Sequence, residues 1–265
     1  MVPKIMAILN VTPDSFSDGG RLRDAQAAID AGRRMADEGA AIIDVGGEST
    51  RPGAAPVPVE EELRRVIPVV EGLATAGIAV SIDTMKARVM AEALAAGARM
   101  VNDVSALTHD PQAIEVVAAS DVPVVLMHMQ GNPQTMQQAP AYADPVAEVR
   151  AFLDARVAAC VAAGICEHRI IRDPGIGFGK TLDHNLALLR NLSSLGAPLL
   201  LGASRKALIG RISGAPVEKR LPGSLALAVH AASHGCAWVR VHDVAETAQA
   251  LAVWEACNPG DDPPR

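Results

Sequence analysis

Short hydrophobic runs recur along the chain, and most of them end in a polar, charged or glycine residue. In chain order they are KIMAILN, AIIDVGG, AVSIDT, RMVNDVS, VPVVLMHM, RIIRDP, PLLLGAS and WVRVHD. Near-continuous hydrophobic runs of this length are typical of parallel strands that are buried on both faces. The pattern therefore predicts a parallel sheet, with the polar residues collected where the strands end.

Segments with helical spacing of apolar residues separate these runs. The first two lie within 25–36 and 63–70, and the others are predicted at 86–97, 111–119, 145–163, 182–195, 218–235 and 244–256. Asp110 and Asp144 each precede a proline, which is a helix start signal, and Asp243 with Glu246 resembles a capping box. Helix stops are predicted at Gly39, Gly77, Gly97 and Gly164.

The repeated alternation of strand and helix predicts a closed (β/α)8 TIM barrel in a single domain. The length of 265 residues suits that fold, which typically needs about 250. The alternative is an open doubly wound sheet, which is less favoured because the first strand is not followed by GxGxxG. We assign residues 1–257 to the barrel and 258–265 to a polar tail.

Composition narrows the classes of function. A net charge of −6 with a pI of about 5.6 argues against nucleic-acid binding, although it leaves room for a local basic site. The sequence has no secretory signal and no apolar run of about 18 residues, so we expect a cytoplasmic protein that does not contact membranes. Four cysteines without metal-ligand spacing are expected to be reduced thiols: Cys160, Cys166, Cys236 and Cys257.

Three connections from a strand to the next helix are unusually long. They span 11–20, 48–59 and 130–143 and are rich in glycine, proline and small polar residues. Long loops in compact domains are usually functional or disordered. Because these follow strands one, two and five, they lie on the same face of the predicted barrel, which favours a function.

Acidic and amide side chains end three of the predicted strands. Asp83, Asn102 and Asp173 could each simply satisfy backbone donors. In a barrel, however, they would surround one mouth, where carboxylates accept and a carboxamide both donates and accepts hydrogen bonds. That combination suits a flat heterocycle with an N–H/NH₂ edge, whose buried groups need partners.

The last two strands end in basic residues. Ser204, Arg205 and Lys206 follow strand seven, while Arg240 and His242 lie on one side of the end of strand eight. Barrel phosphate sites are frequently built from the loops after these two strands. An anionic phosphate ligand is therefore expected, with surface basic residues as the alternative.

Two further motifs are assigned structural roles. RDPGIGFGKT is not a phosphate-binding GxxxxGK[ST] loop, because Pro174 stands where that motif needs glycine. We interpret it as a tight glycine turn that brings Phe178 close to a ligand. His230 and His234 have a metal-like spacing, but no third ligand is near and the predicted helix faces outward.

The ordered motifs resemble those of dihydropteroate synthases, the sulfonamide-target enzymes of folate synthesis. The resemblance rests on NVTPDSFSDGG, DVGGESTRPGA, SIDT, VNDVS, LMHMQGNPQTMQ, DPGIGFGKT, GASRKALIG and RVHDV, and runs from about Ile5 to Val244. Departures are small: Arg172 stands where family members often have an apolar residue.

The resemblance implies a (β/α)8 barrel, usually a homodimer. It also implies a reaction in which 4-aminobenzoate condenses with 6-hydroxymethyl-7,8-dihydropterin diphosphate and diphosphate leaves, with Mg²⁺ present. The pterin would be held by Asp83, Asn102, Asp173 and Lys206, lined by Met127, Phe178 and Gly202, and stacked by Arg240. The aminobenzoate would be framed by Thr50, Arg51, Pro52, Phe178, Ser204 and Lys206.

The same resemblance implies that Asn10 binds Mg²⁺ and that the diphosphate is bound by Asn10, Arg51, Arg240 and His242. The residues expected to carry catalysis are Asp83, Asp173, Lys206, Arg240 and His242. We expect diphosphate to depart before the amine attacks, since the electron-rich pterin stabilises a cation on its exocyclic carbon. The alternatives are a pterin-dependent methyltransferase, a non-catalytic pterin-binding paralogue and a Schiff-base aldolase that uses Lys206.

Overall fold

The computed structural model describes residues 2–12, 21–50 and 53–259, with the side chains of 21–24 left aside. The strands are β1 Lys4–Asn10, β2 Ile42–Gly46, β3 Val80–Asp83, β4 Met100–Asp103, β5 Val124–Met127, β6 Ile170–Asp173, β7 Leu200–Leu201 and β8 Trp238–Val241. The α-helices are α1 Arg21–Asp37, α2 Val59–Thr75, α3 Ala87–Ala95, α4 Ala113–Ala118, α5 Pro145–Ala162, α6 Leu182–Arg190, α7 Ala207–Ser213, α8 Leu221–Ser233 and α9 Val244–Cys257.

The strands form one parallel sheet that is nearly closed into a barrel. Its order is β6-β5-β4-β3-β2-β1-β8-β7, and every paired register is parallel. The two outer strands approach each other at a seam, where Arg172 N donates to Pro198 O at 3.0 Å and Arg172 bridges to Leu199. The predicted TIM barrel is therefore confirmed, and the open doubly wound alternative is wrong.

Two separate apolar clusters show which side chains face the inside of the barrel. The larger cluster joins strand residues to the helices, while the smaller one is built from strand residues alone: Met6, Ile42, Met100, Val125, Ile171 and Leu200. Trp238 packs against the smaller cluster, which therefore fills the interior. Side chains two residues further along a strand face the same way. That next interior layer comprises Ile8, Asp44, Asn102, Met127, Asp173, Gly202 and Arg240.

The helix predictions are confirmed in part. Asp144 caps α5 through bonds from Val146 N and Ala147 N, and the four predicted stop glycines have positive φ values. Helix α4 begins at Ala113 rather than at 111, since the Asp110 carboxylate forms a turn instead, accepting from Gln112 N and Ala87 N. The predicted helix 182–195 ends at Arg190 and is followed by a 3₁₀ turn at Leu192–Ser194.

Two predictions near the end of the barrel are wrong. The segment after β7 holds an unpredicted helix, α7, so the single predicted helix 218–235 is the shorter α8. Asp243 precedes α9, but its side chain makes no capping bond. Its carboxylate pairs instead with Arg205, whose Nε donates to Oδ2 at 2.9 Å. A charged partner 38 residues away therefore displaces the local cap.

The remaining sequence predictions concern single side chains and the membrane. The four cysteines are free thiols, with Cys160 and Cys236 buried. His230 Nε2 contacts Leu189 O at 2.8 Å and His234 Nδ1 contacts His230 O at 2.8 Å, consistent with structural roles. Among the described residues, no helix is both long and apolar enough to span a bilayer. The domain limits at 257 and 258 stay a prediction.

Candidate active site

An ionic cluster links the carboxyl ends of β2, β3, β4 and β8. Arg240 donates from Nε to Oδ2 of Asp44 at 2.6 Å and from Nη2 to Oδ2 of Asp83 at 2.7 Å. Asn102 Nδ2 donates to the same Asp44 oxygen at 2.9 Å. Asp44 is 0% exposed, so its charge is matched inside the barrel rather than by water. Asp44 thus holds a guanidinium and a carboxamide side by side.

The cluster shifts the protonation of its own members. Burial raises the pKa of Asp83 to about 7, and the Arg240 guanidinium opposes that rise while the Asp44 carboxylate adds to it. For Arg240, burial acts to lower the pKa, but Asp44 and Asp83 outweigh it and the pKa rises. A permanently charged guanidinium therefore lies beside a carboxyl that titrates near neutral pH.

A second charged pair faces the cluster from β6 and the loop after β7. Asp173 Oδ1 accepts from Gly175 N at 2.7 Å, and burial raises the pKa of this carboxyl against the charge of Lys206. Burial lowers the pKa of Lys206 to about 8, opposed by Asp173. A Cβ built on Gly202 would lie 3.7 Å from Asp173 Oδ2 and 3.8 Å from Arg240 Cβ. Gly202 therefore lies between Asp173 and Arg240.

The loop after β6, residues 174–180, presents an aromatic ring to Lys206. Lys206 Nζ donates to Ile176 O and lies 4.5 Å from the centre of the Phe178 ring. The long loop 130–143 packs over this turn, because Gln137 Nε2 donates to Gly177 O and Tyr142 donates to Gly179 O at 2.9 Å. Phe178 is therefore held at the mouth beside Lys206, as the tight-turn interpretation predicts.

Ser204 and His242 meet at the ends of β7 and β8. His242 Nδ1 lies 3.0 Å from Ser204 Oγ, and His242 N donates to the same oxygen at 3.2 Å. Arg205 has a φ of 57° and turns its side chain toward Asp243. Among these basic residues, Lys206 points to the cluster and Arg205 points away from it.

Asn10 ends β1 in register with Gly46, and a Cβ on Gly46 would meet Asp83 Oδ2 at 3.5 Å. The Asn10 carboxamide is an oxygen ligand of the kind that Mg²⁺ accepts. In the part of the chain that the structure describes, no three His, Cys, Asp or Glu side chains gather as a metal site. Asn10 therefore fits as one oxygen ligand of Mg²⁺, and metal binding at this position stays a prediction.

The loop after β2 is anchored at its base by a buried ion network. Lys86 Nζ pairs with Glu48 and Glu62 and donates to Val57 O at 2.8 Å. Glu48 Oε2 also accepts from Val57 N at 3.2 Å, which closes the loop on itself. Thr50 is described and partly buried, whereas the predicted ligand residues 51 and 52 (Arg51 and Pro52) lie outside the described residues, as do most of 11–20.

Comparison with known proteins identifies the family. The profile of pterin binding enzymes matches residues 6–242. The chain is 51% identical over 258 residues to the dihydropteroate synthase of Escherichia coli strain K12, covering 96% of this chain and 91% of that protein. A Xanthomonas albilineans dihydropteroate synthase solved with 4-aminobenzoic acid is 51% identical, with a TM-score of 0.91 and coverage of 97% and 94%.

This chain belongs to the dihydropteroate synthase family. A second structure from Xanthomonas albilineans, a dihydropteroate synthase in complex with 7,8-dihydropteroate, is 49% identical with a TM-score of 0.88, and covers 97% of this chain and 94% of that one. The resemblance found in the sequence is thereby confirmed for nearly the whole chain.

Set against the family, the structure brings most of the predicted site residues to one mouth. Those it describes there are Asn10, Asp83, Asn102, Met127, Asp173, Phe178, Gly202, Ser204, Lys206, Arg240 and His242. Sequence reasoning missed Asp44 and Lys86. Asp44 could have been found, since it lies two residues after the interior Ile42 and therefore faces inward. Lys86 follows the end of β3 without a motif, so no local signal marks it.

Proposed function

We propose that this chain condenses 4-aminobenzoate with 6-hydroxymethyl-7,8-dihydropterin diphosphate to give 7,8-dihydropteroate and diphosphate, in folate biosynthesis. The observation that carries the proposal is the meeting of opposite chemistries at one barrel mouth. Carboxyl and amide groups of Asp44, Asp83, Asn102 and Asp173 surround its interior, while Lys206 and Arg240 stand among them. Family members solved with the aminobenzoate and with the product support the same reaction.

The pterin is proposed to bind between the cluster of Asp44, Asp83 and Arg240 and the facing pair of Asp173 and Lys206. Asp173 and Asn102 would bond its amidine-like edge, since a carboxylate accepts two hydrogen bonds and a carboxamide supplies both kinds. Met127 and Gly202 share the interior layer with them and would line the ring. Lys206 would donate to a ring acceptor, and Arg240 would stack on the ring. Asp83, which accepts from Arg240 Nη2, would also hold the pterin.

The aminobenzoate is proposed to lie nearer the solvent, framed by Thr50, Arg51, Pro52, Phe178, Ser204 and Lys206. The diphosphate would be bound by Asn10, Arg51, Arg240 and His242. Mg²⁺, carried in with the diphosphate and bound by Asn10, would neutralise charge on the leaving oxygens. A single neutral oxygen ligand holds Mg²⁺ weakly, so the metal and the diphosphate should bind together.

We infer that the bond between the exocyclic carbon and the diphosphate oxygen breaks before the amine attacks. Arylamines are weak nucleophiles, whereas a cation on the pterin methylene is a strong electrophile. The chain then supplies electrostatic stabilisation rather than a strong base. Asp83 and Asp173 would stabilise the cationic pterin, and Arg240 and His242 the leaving diphosphate. The attacking amine then loses its proton to give dihydropteroate.

The order of bond breaking is tested without the second substrate. With the pterin diphosphate and Mg²⁺ alone, we expect the bridging oxygen to exchange position with the non-bridging oxygens of the same phosphate, or diphosphate to be released slowly. Isotope-labelled substrate followed by ³¹P NMR measures both. No exchange and no release, in a preparation that does make dihydropteroate from both substrates, would contradict this order.

Two other enzyme classes remain testable alternatives. A pterin-dependent methyltransferase would share the acids but needs no groups for a diphosphate, so Arg240 and His242 at the mouth favour the synthase. A Schiff-base aldolase would use Lys206, and borohydride trapping with a carbonyl substrate would detect it. A non-catalytic paralogue would bind pterin without forming product.

One assay decides among these activities. Purified protein should form dihydropteroate and release diphosphate from the two substrates with Mg²⁺, and chelation of the metal should abolish the reaction. Lys206→Ala and Arg240→Ala should each lose most of the activity, and full activity in either would contradict the site assignment.

We also infer a cytoplasmic homodimer, and sedimentation equilibrium should give twice the chain mass.

A further inference from the structure

A buried lysine that makes no proposed ligand contact ends the loop after β6, and its Nζ lies among main-chain carbonyls of that loop. Lys180 is 1% exposed, and its Nζ lies 2.9 Å from Phe178 O, 3.0 Å from Gly175 O and 3.2 Å from His128 O. Its fourth neighbour is His128 Nδ1 at 2.9 Å. Within the described chain, no carboxylate forms a salt bridge with it. Its charge is therefore solvated by main-chain carbonyls.

The protonation of the pair favours a fixed direction for these bonds. Burial lowers the pKa of His128 to about 3, so its ring is neutral and Nδ1 can accept. Burial lowers the pKa of Lys180 to about 7, opposed by Asp173. Carbonyl oxygens and a neutral Nδ1 only accept here, so Lys180 is the donor in these contacts. The three N–H groups of its ammonium form serve three of the four acceptors at a time, and an amine would serve two.

These carbonyls belong to two segments that are pressed together. A Cβ on Gly175 would lie 1.9 Å from His128 O, and a Cβ on Gly179 would lie 2.5 Å from Gln130 O. Both glycines also have a positive φ, of 65° and 61°. The turn can therefore approach the end of β5 only because Gly175 and Gly179 carry no side chains. Lys180 joins the two segments, since its Nζ contacts the carbonyls of His128, Gly175 and Phe178.

The opposite side of the same turn contacts the proposed substrate groups. Gly175 N donates to Asp173 Oδ1, Ile176 O accepts from Lys206 Nζ, and the Phe178 ring lies beside that same Nζ. Gly175 and Phe178 thus each have a carbonyl on Lys180, while their amide or ring faces the substrate groups. A shift of the turn would move Asp173, Lys206 and Phe178 together.

We propose that Lys180, in contact with His128, is a positioning residue of the pterin and aminobenzoate pocket. Its Nζ fixes the 174–179 turn through the carbonyls of Gly175 and Phe178, and so sets the places of Asp173, Lys206 and the Phe178 ring. The link to substrate binding rests on the function proposed above, whereas the fixing of the turn does not.

The test compares Lys180→Met with Lys180→Gln, and with Lys219→Met as a matched control at an exposed lysine. Methionine fills the space but donates nothing, so KM for the pterin diphosphate should rise about tenfold to a hundredfold, with a smaller fall in kcat. Glutamine keeps two N–H donors and should recover part of that loss. Lys219→Met should match the wild type.

Hydrogen exchange gives a second measurement that does not depend on catalysis. Amides within 174–179 should exchange faster in Lys180→Met than in the wild type, while those of β1 and β2 stay unchanged. Unchanged KM and unchanged exchange, or a loss of kcat alone, would overturn the proposal. So would a failure of both variants to fold, because Lys180 would then serve the fold as a whole. If the wild type makes no dihydropteroate, the proposed function fails and the exchange result alone decides.

Discussion

At the scale of residues, Asp44 holds two groups of the mouth in place although it bonds no proposed ligand itself. The Oδ2 atom of Asp44 accepts from both Arg240 and Asn102, so two groups assigned to the pterin share one buried anchor. Such an anchor is valuable where ligand groups must hold their places, since a misplacement of about 1 Å can cost about a hundredfold in rate.

Asp44→Asn tests the anchor. The variant keeps the shape but loses the charge, so it should hold the guanidinium less strongly and Arg240 should shift toward Asp83. We expect kcat/KM for the pterin diphosphate to fall about tenfold to a hundredfold. Asp30→Asn, at an exposed aspartate, is the control and should leave the kinetics unchanged. Wild-type kinetics in Asp44→Asn would mean that Arg240 is held by Asp83 alone.

The raised pKa of Asp83 predicts a dependence of stability on pH. Its ordinary value is 3.8 and its folded value about 7, so between them the folded chain binds more protons than the unfolded chain. Stability from this group is full below about pH 4 and is lost as the pH rises to about 7. We therefore expect Asp83→Asn to lose less unfolding free energy than the wild type over that range.

Denaturant titrations of both proteins at intervals from pH 4 to 8 measure this effect. His128 gives the opposite slope, because its pKa falls from 6.5 to about 3, but it contributes to both proteins and cancels in their difference. A difference between the two proteins that stays constant with pH would show that Asp83 is ionised throughout.

The sequence predicted these residues unevenly for a physical reason. Asp83, Asn102 and Asp173 stand at the very ends of hydrophobic runs, where strand geometry alone puts them at the mouth. Asp44 stands inside its run, so the alternation along the strand gives its inward direction, but its pairing with Arg240 from a strand far along the chain is not contained in the run. Pairings across the barrel depend on closure and register, which no local pattern contains.

At the scale of elements, local signals succeed where no tertiary partner competes. Within the described residues, Asp144 forms no salt bridge and caps α5, whereas Asp243 has the same position before α9 and pairs with Arg205. The short α7 was missed because it holds a glycine and spans only Ala207–Ser213. Bounds of short helices are set by packing rather than by periodicity.

Asp144→Ala should remove the cap of α5 without touching the mouth. Loss of an N-cap side chain costs about 1 kcal/mol of stability, so the denaturation midpoint should fall with little change in KM. Asp121→Ala, at an exposed position, is the control. An equal effect of both substitutions would show that the bonds to Val146 N and Ala147 N contribute nothing.

Removing only the lysine of the network that joins Lys86 to Glu48 and Glu62 should cost the protein stability. Glu62 is 0% exposed, so Lys86→Met leaves a buried carboxylate without its ammonium and should cost about 3 kcal/mol or more of unfolding free energy. Adding Glu62→Gln removes the stranded charge and should recover part of the loss. If the double variant is less stable than Lys86→Met alone, Glu62 contributes through other contacts.

At the scale of the whole molecule, the barrel has one weak seam, and the proposed pocket spans it. The β1–β2 pairing runs from Met6 with Ile42 to Asn10 with Gly46. At the seam between β6 and β7, the described chain has a single bridge, from Arg172 to Leu199 just before β7. Outside the barrel, Arg172 pairs with Asp154, which secures the seam from the solvent side. Inside, Asp173 on one edge faces Gly202 and Lys206 beyond the other.

A pterin held by Asp173 and Lys206 would therefore connect the two edges of the sheet. Opening of the seam would break those contacts, so ligand at about 100 times its Kd should slow exchange there by up to about a hundredfold. The effect should be large for peptides covering 170–173 and 198–201 and small for 6–10. Asp173→Asn, which weakens the proposed contact, should lose the added protection at the same ligand concentration. Equal slowing in all strands would mean that the ligand stabilises the barrel as one unit, with no special role for the seam.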